Sequence, residues 1–144
     1  MRRSANLHNA RLGAADPSCT VENAFGDRYP WALCAGSPAV RDYAAALAAE
    51  VGALADVGAI ELEACGWYGI EHGSAHDKTA GAAGSAAAWL LSACFCAACA
   101  QAYAAAGADP AELRAAVRSV ADQVLAVLAR APAVVTRVGA LWRR

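Results

Sequence analysis

The sequence predicts a helix-rich α/β chain, and three observations carry that expectation. Over 59–64, apolar Ile60, Leu62 and Ala64 alternate with Glu61 and Glu63, the period-2 pattern of a half-buried strand. Just upstream, Val40, Ala44, Leu47, Val51 and Leu54 form one apolar stripe at helical spacing. Downstream, Leu113, Val117, Val120, Val124 and Val127–Leu128 form a second stripe behind a capping signal. Strand and helix in alternation belong to α/β layers. With 144 residues the chain is one domain or a piece of one.

Residues 1–13 carry little periodicity and read as a strand end running into a loop. Residues 14–36 read as a long connection, because Asp16-Pro17, Gly26-Asp27, Tyr29-Pro30 and Ala35-Gly36 are turn chemistry. Its aromatics Phe25, Tyr29 and Trp31 suit packing under a loop better than a sugar platform. The first helix begins after Ser37, a capping residue, with Pro38 at the first helical position. Gly58 and the 56–64 strand follow, closed by Cys65-Gly66.

That strand delivers Glu61 and Glu63 toward a loop with Trp67, Tyr68, Glu71, His72, His76 and Asp77. At the C-terminal end of a barrel strand, such carboxylates are catalytic; on a free-standing sheet they are a wet face. The pattern alone leaves both open. Residues 66–88 form a loop whose length favours a functional segment. Another helix spans 97–106 and stops at Gly107. Asp109-Pro110-Ala111-Glu112 then opens the longest helix, which Pro132 interrupts. Val134, Val138, Leu141 and Trp142 suggest a last short amphipathic piece, and Arg130, Arg137, Arg143 and Arg144 a solvated basic end.

The formal net charge of −1 gives no bias toward nucleic acid. Residues 79–108 carry no charge, but they are mostly Ala and Gly, a poor membrane span. No apolar core follows Met1-Arg2-Arg3, so no secretory signal is read and a cytoplasmic location is expected. There, the six cysteines point to thiols or metal ligands.

Cys94-Phe95-Cys96-Ala97-Ala98-Cys99 is the most specific motif. On one continuous helix these three cysteines cannot all face one ion. The spacing therefore predicts a turn at Cys94–Cys96 with Cys99 in the first helical turn behind it. That arrangement suits tetrahedral thiolate ligation of zinc, with the helix N-terminus favouring anionic sulfur. A fourth ligand could come from Cys34, Cys65, His72 or His76. Buried structural cysteine and a Cys96–Cys99 redox dithiol are the alternatives.

Several stretches together resemble the middle of a (β/α)8-barrel glycoside hydrolase. They are LHNARLG (7–13), NAFGDRYPWALCAGSPAVRDYAAAL (23–47), AIELEACGW (59–67), HGSAHDK (72–78) and LLSACFCAAC (90–99). The chain is most similar to actinobacterial hypothetical glycosyl-hydrolase-like proteins and, more distantly, to family 42 β-galactosidases. The resemblance covers 7–107 and leaves 109–144 as a helical C-terminal segment. It implies a partial TIM-type β/α barrel over 1–144, with zinc held by Cys34, Cys94, Cys96 and Cys99. It also implies Glu63 as the general acid/base, although Leu62 precedes it where that clan usually has Asn. His8, Asn9, Trp67, His72 and His76 would line a carbohydrate cleft.

A glycosidase needs a second carboxylate across the scissile bond. In the resembled clan it comes from a seventh strand, and a full barrel takes about 250 residues. The chain alone is therefore expected to be inactive, completed if at all by the rest of a barrel or by self-association. A small zinc-stabilised helical interaction module is the rival expectation.

Overall fold

The computed structural model describes residues 2–6, 9–54, 56–70 and 84–130. The chain begins with β1 (Arg2–Asn6) and α1 (Asn9–Ala15), then a single 3-10 turn (Pro17–Cys19). A hairpin of β2 (Thr20–Glu22) and β3 (Arg28–Leu33) follows, then α2 (Pro38–Gly52) and β4 (Ala59–Glu63). Three helices complete the described chain: α3 (Gly84–Ser92), α4 (Ala97–Ala105) and α5 (Pro110–Arg130).

The hairpin is built by Asn23. Its side-chain carbonyl accepts from the Phe25 and Asp27 amides, both at 2.9 Å, while Gly26 takes the left-handed turn position at φ +95°. β2 and β3 pair antiparallel, Val21 with Tyr29 and Glu22 with Arg28, and the register shifts between Thr20 and Val21. Pro30, which has no amide hydrogen to offer a ladder, lies opposite that irregularity. α1 rides on β3 through Gly13, where any side chain would run into the Pro30 carbonyl.

α5 closes over the other side of the hairpin. Arg114 pairs with Glu22 and stands 5.6 Å from the Phe95 ring centre, and Arg118 stands 5.2 Å from that of Phe25. The start of α5 follows its capping sequence: the Asp109 carboxylate accepts from the amides of Ala111 at 2.8 Å and Glu112 at 3.3 Å.

The expected partial TIM-type barrel is not what the described residues form. They hold two separate two-stranded sheets, β1–β4 parallel and β2–β3 antiparallel. An antiparallel hairpin stands in the connection from α1 to α2, where a barrel would continue its parallel alternation. All five residues of β4 are exposed, whereas a barrel strand buries its inward side chains in a packed interior. Residues 14–36, expected as a connection, hold two short strands, and β4 pairs with β1 alone among the described residues.

Among the described residues, no single helix is long and apolar enough to cross a membrane. Ala86–Ser92 and Ala97–Ala105 reach that measure only together, and they bend by 95° at the cysteine turn between them. The described chain has two buried clusters. One gathers Val21, Tyr29, Ala32, Cys34, Cys94, Cys96 and Cys99, with Trp31, Tyr68, Ile70 and Tyr103 packed around it. The smaller one sets Leu33 and Val40 against Leu12, Ala44, Leu47 and Cys65.

Candidate metal centre

Two chain segments, far apart in sequence, meet at the larger cluster. Cys34 leaves the end of β3, its amide donating to the Cys19 carbonyl at 2.8 Å. Its own carbonyl accepts from the Ser37 amide at 2.9 Å, which turns the chain into α2. Ser37 occupies the N-cap, but its side chain makes no capping hydrogen bond.

The second segment is the connection from α3 to α4. Phe95 donates its amide to the Glu22 carbonyl at 2.7 Å, fixing this turn to β2. Tyr103, a little further along α4, donates its hydroxyl to the Cys94 carbonyl at 2.9 Å. Cys96 is the N-cap of α4 in extended conformation, and Cys99 lies in the first helical turn. The turn-then-helix geometry expected from the spacing is present.

These anchors bring four sulfurs together. Cys34 Sγ lies 3.4 Å from Cys99 Sγ, 3.6 Å from Cys96 Sγ and 3.7 Å from Cys94 Sγ. All four sulfurs lie within 4.8 Å of one another, and all four residues are buried. A tetrahedral ion with bonds of about 2.3 Å to sulfur needs sulfur–sulfur edges of about 3.8 Å. The four cysteines can therefore hold a metal ion with only small adjustments.

The surroundings favour the neutral thiols of Cys94 and Cys99. The hydrogen bond to Cys34, and then burial, push the Cys94 thiol well above the usual cysteine range. Burial does the same to Cys99. Binding a divalent ion here exchanges thiol protons for the metal, and the positive end of α4 favours the resulting thiolates.

Of the two candidates for the fourth ligand among the described residues, Cys34 and Cys65, Cys34 is placed at the cluster. Cys65 stands elsewhere, against Leu33 and Val40, its thiol 3.4 Å from the Glu63 carbonyl. His72 and His76 lie outside the described residues, as does His8.

Of the remaining expected positions, Glu63, Asn9 and Trp67 are among the described residues. Glu63 ends β4 and is exposed, as is Glu61. Asn9 reaches the same end of the strand, its side-chain amide donating to the Ala64 carbonyl at 3.3 Å. Ala64 itself adopts a left-handed backbone at φ +58°. Asn9 lines a cleft of about 50 Å³ with Leu33, Val40, Arg41, Ala64 and Cys65, among others, but without Glu63 or Trp67. That is room for a few water molecules rather than a sugar ring. Trp67 is 55% exposed.

Two residues beside the sulfurs escaped the sequence reading. Tyr103 looked like one more residue of an alanine-rich helix. Gly36 looked like turn punctuation, although the Cys34-Ala35-Gly36 spacing, a cysteine followed by a turn glycine, held the signal. No protein-family model, curated protein or solved structure matches this chain.

Proposed function

We propose that this chain is a zinc-stapled interaction module, with Cys34, Cys94, Cys96 and Cys99 as a structural tetrathiolate site and no chemistry of its own. The observation that carries this is the sulfur geometry, with edges from Cys34 of 3.4–3.7 Å in a buried set of four. Four protein ligands complete a tetrahedron and leave no open position for water or substrate, the mark of a structural rather than a catalytic zinc. Thiolate sulfur selects zinc over the hard cations that prefer oxygen.

The staple would join the end of β3 to the α3–α4 turn, so metal binding would contribute directly to folding. Large apolar side chains left in solvent, Trp89 at 74% and Trp67 at 55% exposure, suit a chain that meets a partner. A catalytic role for Glu63 draws on the resemblance to glycoside hydrolases alone. Glu61 lies two residues away on the same face, so the two side chains leave the strand in the same direction rather than facing each other across a glycosidic bond.

Metal analysis of the purified chain tests the proposal. One zinc per chain is expected, with binding lost or greatly weakened in Cys34→Ser. A chain carrying no zinc after refolding with excess metal would reduce the cysteines to core packing.

A further inference from the structure

The sulfur cage is not evenly walled. Of the three edges from Cys34, the shortest, Cys34–Cys99 at 3.4 Å, opens the most to reach the roughly 3.8 Å of a zinc tetrathiolate. Gly36 lies directly beside that edge. A side-chain carbon at this position would stand 3.2 Å from Cys99 Sγ and 3.4 Å from Cys34 Sγ. Glycine is not required there by the backbone, since the described glycines with positive φ are Gly26 and Gly107. What position 36 needs is space.

We propose that Gly36 determines the ion size the cage accepts: it leaves the Cys34–Cys99 edge unwalled, so the site opens for thiophilic divalent ions larger than zinc. This rests on the tetrathiolate site proposed above. The four cysteines share a buried cluster with Tyr29, Val21 and Ala32. Position 36 is where the Cys34–Cys99 edge has room to open. A methyl group there would oppose a small opening for zinc and a larger one for cadmium, whose bonds to thiolate are longer. Gly36 would not touch the ion; it acts through the two sulfurs, as residues around a first ligand shell do.

The experiment is competitive titration of Zn²⁺ and Cd²⁺ against a chromophoric chelator, on the wild-type chain, Gly36→Ala and Gly66→Ala. Gly66 has open space where its side chain would go and serves as the control. The cadmium-over-zinc preference should fall about tenfold in Gly36→Ala and stay unchanged in Gly66→Ala. The cobalt(II)-loaded Gly36→Ala chain should keep its thiolate-to-metal absorption, showing all four sulfurs still bound. A Gly36→Ala chain with the wild-type preference, or one that binds neither ion, overturns the role of Gly36. A wild-type chain that binds neither ion overturns the tetrathiolate site itself, and the size selection with it.

Discussion

Around the cysteines, Val21, Tyr29, Ala32 and four sulfurs are buried together. Asn23 donates to the Tyr29 hydroxyl at 2.9 Å, which donates in turn to the Leu91 carbonyl at 2.8 Å. Across the molecule, β1 and β4 pair in parallel, yet every residue of β4 is exposed, Leu62 at 54%. Parallel strands are ordinarily covered on both faces, and a two-stranded pair is marginal by itself. The chain's cohesion is therefore concentrated at the cysteine half. A metal tying residue 34 to residues 94–99 would close a long loop just where the buried contacts already gather.

Three measurements would break or sharpen this contrast. The largest effect is expected from metal removal. Structural zinc contributes about 10–16 kcal/mol of apparent binding energy in small domains. Thermal unfolding followed by circular dichroism should therefore shift down by more than about 10 °C when a strong chelator is added. An unshifted melt would mean that packing alone holds the cysteine half.

A smaller loss is expected from Tyr29→Phe. It removes the hydroxyl that joins Asn23 to the end of α3, leaving the Leu91 carbonyl without that partner, while Asn23 keeps Asp27 at 3.1 Å. Stability measured by denaturant titration should fall by about 1–3 kcal/mol. A neutral result would show that the bridge between hairpin and α3 is dispensable.

The smallest change belongs to the exposed strand. Leu62→Thr should alter stability by no more than about 0.5 kcal/mol, because the side chain is already in solvent. A loss well above 1 kcal/mol would mean that β4 is covered in solution, and the contrast between the two halves would fail.

The elements with a clear hydrophobic period were legible in the sequence. The stripe after Ser37 became α2, the Ile60–Leu62 alternation became β4, and the Asp109 signal caps α5 through its carboxylate. The cysteine spacing also translated directly: a turn before α4 brings together three cysteines that one helix face could not.

The hairpin was hidden for a physical reason. Its strands are short, β3 contains Pro30, and the tight turn through Asn23 and Gly26 resembles any loop. α3 was hidden by composition, since an alanine-rich run has no apolar period, and Ala87 and Leu91 are buried through tertiary packing alone. The barrel came from resemblance over scattered stretches, and pairing partners cannot be read from such stretches. Strand pairing is a long-range property, and here it joins β4 only to β1 among the described residues.

X-ray absorption at the zinc edge of the purified chain reads the ligand set of the proposed tetrathiolate site. Four sulfur neighbours at about 2.3 Å, with no nitrogen or oxygen beside them, are expected. Nitrogen or oxygen scatterers at about 2.0–2.1 Å would put histidine or water at the ion and contradict the closed tetrathiolate site.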